Sequence, residues 1–127
     1  MNLELLPGDY AVWRLAPGSP IPVVPRAPGE VVAVTASDDE ISVMGPGRLA
    51  PQKVPAEHDF RALRVRGPLD FALVGVIASL AGPLATEGVS IFVVSTFDTD
   101  YILVRTPDLE RAVAALRSAD HEIDVAG

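Results

Sequence analysis

Across the second half of the chain the apolar residues change period in a fixed succession, and few folds accommodate that succession. Over residues 61–66, Leu63 and Val65 alternate with Arg64 and Arg66, which predicts a strand with one buried and one charged face. From Phe71 to Glu87 the apolar positions Phe71, Val74, Ile77, Ala78, Ala81 and Leu84 follow helical spacing, and Gly88 stands where a left-handed C-terminal residue is expected. Gly82-Pro83 lies inside that pattern and predicts a kink or a weakening, because Pro83 has no N–H for the carbonyl four residues back. Ser90 to Ser95 and Tyr101 to Arg105, rich in β-branched residues, predict two strands. Thr106-Pro107-Asp108 then reads as a helix start, with Thr106 as N-cap, Pro107 at the first helical position and Asp108 an acid in the first turn. Leu109, Ala112, Val113 and Leu116 form the buried stripe of this helix, and Ile123 and Val125 alternate in a short closing strand.

The resulting order, β-α-β-β-α-β from residue 61, is the ferredoxin-like α+β arrangement, with two helices on one face of an antiparallel sheet. The other face needs a cover, from the N-terminal strands or from a second subunit. Residues 1–60 read differently. Asp9 to Leu15 alternates, with Tyr10, Val12 and Arg14 on one face and Ala11, Trp13 and Leu15 on the other, between the turn signals Pro7-Gly8 and Pro17-Gly18. Pro17, Pro20, Pro22, Pro25 and Pro28 crowd the next stretch, so no helix is expected over residues 16–29. Val31 to Ser37 and Glu40 to Met44 predict a hairpin, and residues 45–59 a surface loop. The expected division is therefore 1–60, mostly β, and 61–127, βαββαβ.

With 49% apolar residues the chain can bury a core, while a formal net charge of −7 argues against nucleic acid and anionic membrane as partners. The absence of cysteine removes disulfides and thiolate chemistry and is compatible with the cytoplasm. The N-terminus has neither the basic start nor the apolar run of a signal peptide, and no membrane span is expected. His58 and His121 lack metal-ligand spacing and are expected at the surface, so no metal and no cofactor is implied. Ser95 has no Gly-x-Ser-x-Gly context and no assignable base, and Arg61, Arg64 and Arg66 read as a solvated face. None of this points to an enzyme.

Thr96-Phe97-Asp98-Thr99-Asp100, between two buried strands, carries more side-chain donors and acceptors than a plain turn requires. For Asp98 and Asp100 the alternatives are ligand contact or a solvated turn with bonds to its own backbone; for Phe97, ligand contact or a packing or dimer contact. Asp70 either takes part in a site or caps the helix beginning at Phe71.

Leu6-Pro7-Gly8-Asp9-Tyr10-Ala11-Val12, Val65-Arg66-Gly67-Pro68-Leu69-Asp70-Phe71 and, most specifically, the run from Gly88 to Val104 resemble the ACT domain family. Within it they are similar to the small tandem-ACT proteins related to CASTOR-type amino-acid sensors. The resemblance implies a complete ACT domain over residues 61–127, and a reduced, mostly β, ACT-like half over 1–60 whose proline-rich stretch stands in place of the first helix. It further implies a non-enzymatic regulatory module that binds a free amino acid, forms a homodimer and acts on a regulated protein in trans. In such domains a helix N-terminus receives the ligand carboxylate and a nearby acid its ammonium group. Thr96, Phe97 and Asp100 match ligand-contacting positions of the sensors, and Leu69, Asp70 and Phe71 match the strand-to-helix turn. The alternative reading is a structural or protein-protein interaction module with no small-molecule ligand. There Phe97 would be packed into protein and Asp100 paired internally.

Overall fold

The computed structural model describes residues 1–67, Leu69 and 74–125. The chain divides into two compact units, Gly8–Phe60 on the one hand and Met1–Pro7 with Arg61–Gly127 on the other. The division expected at residue 60 is thus displaced for the first seven residues. Their strand, β1 (Asn2–Leu5), has its partners in the C-terminal segment. Sequence reading assigned no strand there, because four alternating residues carry little periodic signal and both pairings are distant in sequence.

In the unit Gly8–Phe60, β2 (Tyr10–Leu15) pairs antiparallel with β4 (Ile41–Pro46), and β4 with β3 (Ala33–Ala36). On its other side β2 pairs with the first half of β5 (Ala56–Val65). The hairpin between β3 and β4 is closed at Ser37, whose N–H donates to the Glu40 carbonyl at 2.9 Å and whose Oγ accepts the N–H groups of Asp39 and Glu40. Residues 45–59 are not the expected surface loop throughout. A 3-10 turn, Gly47–Leu49, follows β4, and β5 begins at Ala56. The register against β2 shifts between Tyr10 and Val12, and Asp59 takes the left-handed conformation at φ 64°. That bulge breaks the two-residue alternation by which a strand is recognised.

The core of this unit is the face Ala11, Trp13, Ile41 and Val43, as the alternation of β2 requires. No helix forms over residues 16–29; instead Val24 and Val32 pack on that face. Glu30 accepts the Ala27 N–H at 2.7 Å and a two-pronged bond from Arg48, whose Nη2 lies 2.7 Å from Oε1. Arg48 first, and the Ala27 N–H second, lower the Glu30 pKa from 4.5 to about 2. A carboxyl depressed on folding contributes stability that is complete above the unfolded pKa and is lost as pH falls through the folded one. The stability gap between wild type and Arg48→Ala is therefore expected to be constant above about pH 4.5 and to close towards about pH 2. Urea melts in a pH series check this.

In the other unit the strand order is β6 (Ile91–Ser95), β7 (Asp100–Arg105), β5, β1 and β8 (Glu122–Val125). β1 is antiparallel to β5 and parallel to β8, inserted between the first and last strands of the βαββαβ series. Leu3, Leu5, Leu63, Val65, Ile102, Val104 and Ile123 turn to one face, where α1 (Val76–Thr86) and α2 (Leu109–Ser118) cover them with Leu80, Leu84, Ala112 and Leu116. Arg64 and Arg66, read as solvated, reach acids across the strands. Both lie within 3.5 Å of Glu4, and Arg66 lies 3.2 Å from Asp124. The fold is the α+β, ferredoxin-like one. Among the described residues no helix is long and apolar enough to cross a membrane.

Both helices begin later than their sequences suggest. The helix expected from Phe71 is described from Val76, after Gly75 at φ 81°; Asp70 and Phe71 lie outside the described residues. Val74, expected in the buried stripe, is 89% exposed, whereas Leu84 is buried as expected, together with Leu80, which the expected stripe left out. Val74 stands before the left-handed Gly75 and so outside the helix, which removes it from the helical stripe. Thr106 does not cap α2. Thr106–Asp108 form a 3-10 turn around Pro107, and Asp108 holds the N-cap position and pairs with Arg111 at 3.0 Å.

α1 ends as expected, with Gly88 at φ 70°, its N–H on the Ala85 carbonyl and that of Val89 on Leu84. α2 ends in the same manner with Asp120 in the left-handed position, and His121 follows it. This places His121, expected at the surface, in a site where it is only 8% exposed. Its Nε2 lies 3.0 Å from the Ser79 carbonyl, the one that Pro83 leaves without a helical N–H. Pro83 is therefore tolerated inside α1 because an imidazole donor replaces the missing amide. His121→Leu is expected to cost about 1 kcal/mol. In Pro83→Ala, which restores the amide, the same change is expected to cost less, and a double-mutant cycle measures the coupling.

Candidate functional site

The hairpin between β6 and β7 closes on a two-residue loop, Phe97-Asp98. The Thr96 N–H donates to the Thr99 carbonyl at 2.8 Å, the Thr96 hydroxyl donates to the same oxygen at 3.1 Å, and the Thr99 N–H returns to the Thr96 Oγ1 at 3.1 Å. The Thr96 side chain is thus engaged in shaping the turn. Thr99, 7% exposed, donates its hydroxyl to the Val65 carbonyl, so the hairpin hangs from the end of β5. The Leu69 N–H donates to the Asp98 carbonyl at 2.7 Å. Gly67 lies so close that a Cβ there would stand 3.0 Å from the Asp98 carbonyl oxygen and 3.3 Å from the Thr99 Cβ. Only a residue without a side chain lets the strand end and the hairpin tip approach in this way.

These contacts frame a cleft of about 370 Å³, lined by Leu69, by Gly75 to Ala78 at the start of α1, and by Ser95 to Asp100. The first turn of α1 has no side-chain cap on Gly75 and no acid of its own, and its ladder begins with the Ser79 N–H on the Gly75 carbonyl. The N–H groups of Val76, Ile77 and Ala78 precede that ladder and so lack an intrahelical acceptor. Among the described residues the cleft's charged side chains are two carboxylates: Asp98, exposed, and Asp100, half-buried. Phe97 is 80% exposed at the rim. One end of such a cleft attracts an anion and the other a cation, which suits a zwitterion.

Of the residues named from sequence, Leu69, Thr96, Phe97 and Asp100 line this one cleft, while Asp70 and Phe71 lie outside the described residues. Gly67, Gly75 and the first turn of α1 were missed. Gly67-Pro68 was legible as a turn, but that its lack of a side chain admits a hairpin thirty residues on was not.

The family profile of the ACT domain matches residues 56–118. The rat (Rattus norvegicus) protein "Cytosolic arginine sensor for mTORC1 subunit 1" is 37% identical over 59 residues, which are 46% of this chain and 18% of that protein. The chain thus spans less than a fifth of that curated relative. Protein Atu0741 from Agobacterium tumefaciens, whose crystal structure is known, is 36% identical, with a TM-score of 0.89 covering 99% of this chain and 93% of the other. The regulatory subunit of aspartate kinase from Thermus thermophilus shares the fold at a TM-score of 0.59 and 14% identity, covering 92% of this chain and 96% of the other. Fold, profile match and relatives agree, and the chain belongs to the ACT domain family.

Proposed function

We propose that the protein is a non-enzymatic regulatory module of the cytoplasm that binds a free amino acid in the cleft between the start of α1 and the β6-β7 hairpin. One observation carries this reading: a helix N-terminus that has no side-chain cap among the described residues, and Asp100, line the same cleft. The ligand carboxylate is received by the N–H groups of Val76 to Ala78, and its ammonium group by Asp100. Thr96 and Leu69 shape the walls, and Phe97 closes the rim. The unit Gly8–Phe60, a sheet with Val24 and Val32 in place of a helix, serves as the reduced ACT-like half. The module works as a homodimer on a regulated protein in trans. The competing interaction-module reading would have Phe97 packed into protein and Asp100 paired internally; Asp100, half-buried in the wall of the cleft, favours the sensor.

The relative's printed name makes arginine the first ligand to test. A thermal-shift screen of the proteinogenic amino acids is expected to single out a subset that raises the melting temperature, since a ligand at about a hundred times its Kd adds roughly 2.7 kcal/mol. Asp100→Asn is expected to abolish that shift while the unliganded protein melts as before. No response to any amino acid, with calorimetry in agreement, removes the reading.

A further inference from the structure

We propose that the proline-rich segment from Pro20 to Arg26 is a docking ridge, read by a partner protein through an aromatic-lined groove of the kind that accepts a polyproline II helix. The segment is stretched between two Pro-Gly turns. Ser19 donates its N–H to the Ala16 carbonyl at 3.2 Å and Glu30 to that of Ala27 at 3.1 Å, with Gly18 and Gly29 both at φ 83°. Between them residues 19–27 form no turn or bend, and among the described residues no backbone hydrogen bond involves residues 20–26. The prolines dictate this conformation. Pro20, Pro22, Pro25 and Pro28 have φ fixed at about −65°, and Ser19, Ile21, Val24 and Ala27, each standing before a proline, are driven into the extended region. Only Val23 and Arg26 keep ordinary backbone freedom, so the segment is held close to polyproline II.

Such a helix turns once in about three residues, which puts Pro20, Val23 and Arg26 on one ridge. That ridge faces solvent. Val23 is 96% exposed and Pro20 and Arg26 are exposed, while Val24 packs on the face of Ala11, Trp13, Ile41 and Val43 and pins the segment from behind. Ile21, 59% exposed, and Pro25 flank the ridge, so its apolar side chains form a patch and not a scatter. Beyond it the chain is clamped by Glu30, which accepts the Ala27 N–H and pairs with Arg48, and by the Val31 N–H on the Tyr10 hydroxyl at 3.2 Å. Folding has therefore already ordered the ridge, and a partner does not have to. The chemistry of the ridge selects the partner. Prolines lack the N–H groups that an added β-strand would need, whereas flat aromatic side chains take up proline and valine without them. Arg26 stands at one end, in no ion pair among the described residues, and a carboxylate of the groove facing it fixes the direction of docking.

The proposal rests on the reading of a regulated protein in trans and names the surface that such a partner carries. Nuclear magnetic resonance titration of the isotope-labelled chain with a panel of purified SH3 and WW domains tests it. At least one domain is expected to shift the amides of Ile21, Val23 and Arg26 saturably, with a Kd below about 1 mM. Val23→Asp, at a side chain on which the fold does not depend, is expected to weaken that binding about tenfold or more, and Arg26→Ala to flatten its dependence on salt. Val125→Asp, at another exposed valine, should leave it unchanged. Binding by no domain, binding retained in Val23→Asp, or shifts confined to other residues overturns the ridge. Shifts at these amides that grow with the concentration of the chain alone would mean that a second copy occupies it, and overturn the proposal as well. The amino-acid reading is judged apart. A thermal shift with amino acid that persists while no domain binds keeps the sensor and removes the ridge, and domain binding by a chain that no amino acid stabilises does the reverse.

Discussion

Leu80→Ala is expected to lower the unfolding free energy by about 2–5 kcal/mol. Leu80 is fully buried on the inner face of α1, among Leu84, Ile102, Val104 and Leu116, and truncation leaves a cavity that two helices and a sheet cannot close by local movement. A loss of that size is a large part of the roughly 5–15 kcal/mol that holds a typical domain together. Val74→Ala, six residues earlier, is the internal comparison. Val74 was expected in the buried stripe of this helix, yet its exposure places the change within about 0.5 kcal/mol. Urea denaturation of the two variants, with unchanged m-values, measures the difference. Comparable losses at both positions would mean that Val74 is buried, as expected from sequence.

Thr99→Val is expected to cost about 1–3 kcal/mol, although valine matches threonine in shape. The substitution deletes the hydroxyl that the Val65 carbonyl accepts and so removes a hydrogen bond from a buried place. At roughly 3–5 °C per kcal/mol for a chain of this length, thermal melting resolves the change readily. A second effect follows from where Thr99 stands. The hairpin tip carrying Phe97, Asp98 and Asp100 is fixed to β5 by that hydroxyl and to the segment before α1 by the Leu69 amide. Loosening the first tie should weaken ligand binding beyond the loss of stability, seen as a smaller thermal shift at saturating amino acid. Thr99→Ser, which keeps the hydroxyl, should restore most of it.

What the sequence revealed of this fold depended on whether its signal was local. The βαββαβ order was legible because each element from β5 to β8 carries its own period, and Thr96 to Asp100 stood out because a bare turn does not need such side chains. β1 was not legible, since Asn2–Leu5 becomes a strand only through partners some sixty and one hundred and twenty residues away. The first half of β5 was hidden by the bulge at Asp59, and the true start of α1 by the left-handed Gly75. His121 shows the same limit from the other side. Nothing local says that its ring will serve a carbonyl orphaned by Pro83, and the lack of metal-ligand spacing made it a surface histidine.

The insertion of β1 beside β5 has a consequence for how the chain closes. Leu5 pairs with Leu63, and the Leu6 amide reaches the Ala62 carbonyl, so these two strands have the register of a hairpin whose turn has been replaced by the whole of Gly8–Phe60. Within that unit Tyr10 pairs with Phe60, which holds its own two ends side by side. Once folded, it therefore does the work of a tight turn: it removes the entropy of closing a long loop and delivers the first residues of the chain to β5 already in register. Gly8–Phe60 is in this sense a replaceable connector, and its exchange for a short turn leaves every pairing of β1 with β5 and β8 defined.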